Sequence, residues 1–172
     1  MRLKQYLLEE LRSEIPEHLL ELIPSRYPII GDIMLIRLDP ALRGYGKVIG
    51  KKILRHMDGI KSVWAIYETR RACRVPKVEL LAGDKNPVTT HKELETYFQV
   101  DISRLTFSPG NSNERRKLIE IVDDGEVILD MFACVGNLSL PIATNRDPAL
   151  IHCLEINPYV GLRVLPLGGV KI

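Results

Sequence analysis

A chain of 172 residues and 19.5 kDa, 45% hydrophobic and 27% charged, holds enough apolar material for one ordinary core or two small ones, which excludes disorder over most of its length. No apolar run reaches the roughly eighteen residues of a membrane span, and the N-terminus MRLKQYLLEELRSEIP alternates charge with leucine, unlike a signal peptide; a soluble, cytoplasmic protein is expected. Cys73, Cys134 and Cys153 are odd in number and far apart, so neither a disulfide framework nor a metal site is expected.

The formal charge of +2 is unevenly spread. From Arg43 to Lys77 ten basic residues face two acidic ones, Asp58 and Glu68, giving +8 there and −6 elsewhere. A block of that sign is the electrostatic footprint of phosphate-backbone binding, and equally that of a solvated helix face and loop.

In chain order, Leu3, Tyr6, Leu7, Leu8 and Leu11 recur at helical spacing, and Pro16 followed by Leu19, Leu20 and Leu22 predicts a second short helix. Asp32 to Leu38 reads as a buried strand, and Gly44 and Gly46 open a helix running from Lys47 to Met57. Lys47, Lys51 and Arg55 stand four apart on it, a stripe opposite Val48, Ile49, Ile53 and Leu54. Ser62 to Glu68 and Val78 to Gly83 are the next strands. VTTHKE and TYFQVDIS then predict a hairpin around Leu94 and Glu95, closing a first domain of mixed α/β or α+β type near Ser103. Trp64 and Tyr67 are available either to stack on bases or to fill the core. His91 is expected to form structural hydrogen bonds.

Pro109-Gly110 makes a turn into a helix that Asn111 or Ser112 can cap, and Asp124-Gly125 ends it. Glu126 to Ala133 has the composition of a strand buried in a parallel sheet. A glycine turn, a helix and a second apolar strand ending in Glu155 follow, which is one βαβ unit. The turn lets a ligand approach the backbone, and Glu155, 19 residues after Gly136, stands where an acidic strand end accepts hydrogen bonds from a ribose. An ordinary βα turn with a surface glutamate fits the same pattern. A nicotinamide dinucleotide would need a GxGxxG run, which is missing. Asp130, at the end of an apolar strand, requires backbone N–H groups or a ligand amine as partners.

The spacing Asp130, Phe132, Gly136 resembles the first motif of class I S-adenosylmethionine-dependent transferases. The ordered series IGDIMLIRL, KSVWAIYE, VELLAGD, TTHKE, FQVDISRLTFSPGNSNERRKL, LDMFACVGNLSLPIA and LEINP resembles, over most of the chain, one archaeal and eukaryotic tRNA-modifying family. That family combines guanosine N1-methyltransferases with wybutosine-pathway aminocarboxypropyltransferases acting 3′ of the anticodon. The resemblance implies an RNA-side domain (residues 1–103) and the start of a Rossmann-like S-adenosylmethionine-binding domain (residues 104–172). It makes Ser108, Arg115, Asp130, Phe132, Gly136 and Glu155 candidates for holding the cofactor. It makes Lys47, Lys51, Arg55, Arg70, Arg71 and Arg74 candidates for holding tRNA, and it assigns no catalytic residue. Pro109-Gly110-Asn111, where methyltransferase members carry SPR, and LSLPIA are more similar to the aminocarboxypropyl branch; methyl transfer is the alternative.

Two departures stand out. Cys134 replaces the glycine of DMFAG; if its φ is positive, a side chain there costs about 1–2 kcal/mol. After Pro158 the run YVGLRVLPLGGVKI, with Pro166 and Gly168-Gly169, does not continue as a helix. The chain is therefore read as truncated, acting with a separately encoded C-terminal half or surviving as a non-catalytic RNA-binding remnant.

Overall fold

The computed structural model describes residues 2–70 and 73–160, and the side chain of Arg70 is not among what it describes. Arg71 and residues 161–172, with the Pro166 and Gly168-Gly169 run, lie outside the described residues. Two helices, α1 (Leu3–Glu10) and α2 (Glu17–Leu20), precede a sheet of β1 (Ile29–Ile30), β2 (Ile33–Ile36), β3 (Ser62–Arg70) and β4 (Val75–Gly83) in that spatial order. β2 and β3 are parallel, joined through α3 (Gly46–His56), and the other two pairings are antiparallel. The two-residue β1 and a 3-10 turn over Pro40–Tyr45, capped by the Asp39 side chain, are too short for a periodic signal in the sequence.

Period-two alternation sends the residues of one strand to opposite faces, and both faces of this sheet are buried. Met34, Ile36, Val63, Ala65 and Leu81 meet Leu7 and Leu11 of α1 and Ile49 and Ile53 of α3. Ile33, Leu35 and Trp64 meet Phe98 and Val100 of a hairpin formed by β5 (Val88–Glu93) and β6 (Thr96–Asp101). Leu94 and Glu95 turn that hairpin with φ of 50° and 57°, the paired left-handed geometry a two-residue hairpin requires. Trp64 is 8% exposed and donates from Nε1 to Ser62 Oγ, so it fills the core. Helix α3 lies close on β4: a Cβ at Gly50 would stand 2.7 Å from Leu81 Cβ.

The second apolar cluster does not end with the hairpin. It takes in Ile102, Leu105 and Phe107 of the following linker, and Cys134, Val135 and Leu140 beyond it. Helix α4 (Ser112–Ile121), strand β7 (Val127–Asp130), helix α5 (Ser139–Asn145) and strand β8 (Leu150–Cys153) follow, with β7 and β8 parallel. Asn111 takes the cap position of α4 without a side-chain cap bond. Ile128 and Ile151 pack with Leu118, Val122, Ile142 and Ala143. The outer face is bare: Val127 and Leu129 are 67% and 57% exposed. The expectation of a fully buried strand is thereby corrected, because among the described residues helices cover this pair of strands on one side only.

Candidate functional site

The site lies at the carboxyl ends of β7 and β8. Hydrogen bonding continues past the strands, with Leu154 N donating to Asp130 O at 2.8 Å and Ala133 N to Leu154 O at 3.0 Å. The chain then turns through Ala133–Asn137, where Gly136 N and Asn137 N both donate to Ala133 O. Gly136 has φ 79° and Cys134 has φ 48°. A cysteine thus occupies a left-handed position at the strain anticipated for it. It is anchored there, since its N donates to Glu155 Oε2 at 2.8 Å and its thiol to Thr106 O at 3.3 Å. Burial pushes the Cys134 thiol above its ordinary range, which opposes a reactive-thiolate role.

Glu155 bridges the turn. Its Oε1 accepts from Asn157 N at 2.7 Å while Oε2 holds Cys134, and each oxygen keeps lone-pair capacity for a further donor. Asp130 Oδ1 accepts from Phe132 N at 3.2 Å, whereas Oδ2 is buried with no hydrogen-bond partner. Asn137 Oδ1 and Ser139 Oγ, at the far side of the same turn, are also buried and unpartnered. A cluster of orphaned polar atoms in so short a stretch is costly unless a ligand completes it. The Phe132 ring is 81% exposed beside the turn.

The linker from Arg104 to Ser108 forms the opposing wall, and three side chains pin its carbonyls. Asn157 Nδ2 donates to Arg104 O, Cys134 Sγ to Thr106 O and Arg115 Nη2 to Ser108 O. Ser108 itself is exposed. Arg115 is 0% exposed and grips Glu93 through Nε to Oε1 and Nη2 to Oε2, both at 2.8 Å. Its Nη1 is buried without a partner, and its guanidinium lies 5.0 Å from the centre of the Phe107 ring. Burial alone would raise the Glu93 carboxyl, but hydrogen bonds from Arg115 and Ser112 hold it below the usual range.

This donor set suits an amino-acid moiety next to a nucleoside. Asp130 Oδ2 offers an acceptor for an ammonium, Arg115 Nη1 a donor for a carboxylate, and Glu155 an acceptor for hydroxyls. Sequence reasoning missed Glu93, Asn137, Ser139 and Asn157. The motifs TTHKE and LEINP hold Glu93 and Asn157, yet only their partners across the fold reveal what they do. His91 takes the structural role expected of it, accepting from Gly31 N at 3.2 Å.

Away from this site Lys47, Lys51 and Arg55 are exposed along α3, and Arg74 is exposed in the β3–β4 turn with φ 50°. Other cations of the basic block are engaged internally. Lys52 bonds Glu10 and Glu14 at 3.0 and 3.1 Å, Lys61 bonds Asp32 at 2.7 Å, and Arg43 covers the Tyr67 ring. The Tyr67 hydroxyl donates to Glu79. Among the described residues no group of three or more His, Cys, Asp or Glu is placed to hold a metal, and no helix is long and apolar enough to cross a membrane.

Residues 7–86 match the TYW2 N-terminal domain, and residues 89–165 match the TRM5/TYW2 methyltransferase domain. The chain belongs to the TRM5/TYW2 family. A tRNA(Phe) (4-demethylwyosine(37)-C(7)) aminocarboxypropyltransferase of Pyrococcus horikoshii is 35% identical over 157 residues, 91% of this chain and 55% of the relative. The solved structure of P. horikoshii TYW2 in complex with MeSAdo superposes with a TM-score of 0.68 at 35% identity, covering 91% of this chain and 55% of that one. The complex of aTrm5 with tRNALeu superposes with a TM-score of 0.77 at 29% identity, covering 90% and 46%. The chain thus spans about half the length of the relatives it matches. The architecture shared with them is mixed α/β, with a Rossmann-like βαβ unit at the glycine turn.

Proposed function

We propose that the chain carries the RNA-side domain (residues 1–103) and the opening of the cofactor domain (residues 104–172) of an S-adenosylmethionine-dependent tRNA-modifying transferase. Its reaction is transfer of the 3-amino-3-carboxypropyl group to the tricyclic guanosine derivative 3′ of the anticodon. One observation carries this reading: a buried, unpartnered carboxylate oxygen of Asp130 beside a glycine turn that Glu155 closes from the next strand. When bound, S-adenosylmethionine supplies a sulfonium whose attached carbons are electrophilic. Asp130 holds the ammonium, Arg115 Nη1 the carboxylate and Glu155 the ribose, while Ser108, Phe132 and Gly136 border the moiety. Selecting the aminocarboxypropyl carbon over the methyl is a matter of alignment with the attacking base carbon.

Lys47, Lys51, Arg55, Arg70, Arg71 and Arg74 contact tRNA phosphates, which sets register rather than sequence preference. The bare outer face at Val127, Leu129, Leu154 and Ile156 supports packing against a further segment, such as a separately encoded C-terminal half. The reaction is cytoplasmic and needs no metal. Likeness to a tRNA (guanine(37)-N(1))-methyltransferase Trm5b of Pyrococcus abyssi, 30% identical over 152 residues, supports methyl transfer to guanine N1 as the second reading.

Calorimetric titration with S-adenosylmethionine tests the cofactor site. Saturable binding that Asp130→Asn weakens is expected, and no binding at millimolar cofactor would leave a non-catalytic RNA-binding module. Mass analysis of nucleosides from treated tRNA separates the two transfers: aminocarboxypropylated product is expected, and methylated guanosine would overturn that choice.

A further inference from the structure

Strand β5 presents Thr89, His91 and Glu93, two residues apart, on its buried face. Each makes a contact outside the hairpin. Thr89 Oγ1 donates to Asp32 Oδ1 at 2.6 Å and accepts from Asp32 N at 3.2 Å. His91 Nδ1 accepts from Gly31 N, and Glu93 forks onto Arg115 of α4. The β1–β2 turn is pressed onto the strand: Gly31 has φ 56°, and a Cβ there would stand 2.5 Å from Thr90 O. Only glycine lets the backbone come so near.

A ring nitrogen that accepts from a backbone N–H carries no proton, so the neutral His91 has its hydrogen on Nε2. That nitrogen is 3.4 Å from Glu93 Oε2. The His91 ring also packs 4.9 Å from the Phe107 ring, on which the Arg115 guanidinium rests. A continuous polar chain therefore runs from Gly31 through His91 and Glu93 to Arg115 and the Ser108 carbonyl.

We propose that His91 is a positioning residue of the cofactor site, fixing Glu93, and through it the Arg115 guanidinium, against the RNA-side sheet. This rests on the transferase reading above for its functional consequence. The structural half of it does not. His91 touches no candidate cofactor group; it sets the plane in which Arg115 presents its free Nη1, and the Gly31 contact sets where His91 itself stands. Partners of this kind typically carry ten- to a hundredfold in ligand affinity at metal sites.

Three substitutions separate the contacts. His91→Phe keeps the ring packing and removes both polar links, His91→Gln keeps reach to Glu93, and His91→Asn keeps an acceptor for Gly31 N. The full chain, labelled with 15N, is examined by NMR for the Arg115 Nε–H resonance and titrated with S-adenosylmethionine. In His91→Phe the resonance is expected to shift or broaden and cofactor affinity to fall about tenfold, with tRNA affinity unchanged. His91→Gln restores both more fully than His91→Asn. An unchanged Arg115 resonance in folded His91→Phe overturns the proposal, as does unchanged cofactor affinity. If the unsubstituted chain binds no cofactor, the transferase reading fails, and the Arg115 resonance decides the positioning role.

Discussion

Replacing Glu93 by glutamine keeps the shape of the side chain and removes its charge, leaving Arg115 as a fully buried cation with no counter-ion. The structure fixes the size of the loss. Two hydrogen bonds to a charged group, both 2.8 Å long, each contribute about 1.5–3 kcal/mol, and the amide oxygen retains only one. Breaking a buried pair from one side costs about 3–5 kcal/mol, so Glu93→Gln is expected to destabilise the fold by about 3 kcal/mol. Trp64, the chain's one tryptophan, sits in the same apolar cluster as Phe107 and reports unfolding by its fluorescence. With a urea slope of about 2 kcal/mol per molar, the midpoint falls by about 1.5 M.

The pH dependence adds a second readout. Glu93 is held below its ordinary range in the fold, so its contribution is complete above the unfolded carboxyl value of about 4.3 and is lost as pH falls through the folded value. The deficit of Glu93→Gln should accordingly shrink as pH falls below about 4.3 and the wild type approaches the variant. Replacing both partners, Glu93→Leu with Arg115→Met, should cost far less than the two single changes together. A deficit below about 1 kcal/mol at pH 7, or one independent of pH, would refute the reasoning.

The left-handed backbone at Cys134 predicts that Cys134→Gly is more stable than Cys134→Ala by about 1 kcal/mol; equal thermal midpoints would remove the strain argument. The same thiol, raised by burial, should be alkylated by iodoacetamide more slowly than Cys73 in the native chain and at an equal rate in urea, as read by peptide mass analysis. Gly50→Ala gains about 1 kcal/mol of helix propensity but drives a methyl into Leu81 and Ala82; a net loss of about 1–2 kcal/mol is expected, and a stabilised variant would show that α3 has room to move. Reversing Lys47, Lys51 and Arg55 to glutamate should weaken tRNA binding and lower its dependence on salt by about two to three ions. An unchanged slope in filter binding across potassium chloride concentrations would take the stripe out of the interface.

The longer helices and strands were legible in the residues because their patterns are local, whereas the two-residue β1 and the 3-10 turn were not. Helical spacing of leucines marks α1, the glycine entry and the Lys47, Lys51, Arg55 stripe mark α3, and alternation with a two-residue turn marks the β5–β6 hairpin. The βαβ unit and its glycine turn followed from apolar runs and spacing, and the family from the order of short motifs. What no local pattern contains is which polar groups meet. Arg115 looks like one of three neighbouring helix cations, Arg115, Arg116 and Lys117; only the fold buries it against Glu93, 22 residues earlier. Exposure of the outer face of β7, so unlike its composition, likewise depends on which elements cover it. Secondary structure is set by side chains a few residues apart, whereas burial and hydrogen-bond partnership are set by chain segments that meet only after folding, and there the tertiary structure alone decides.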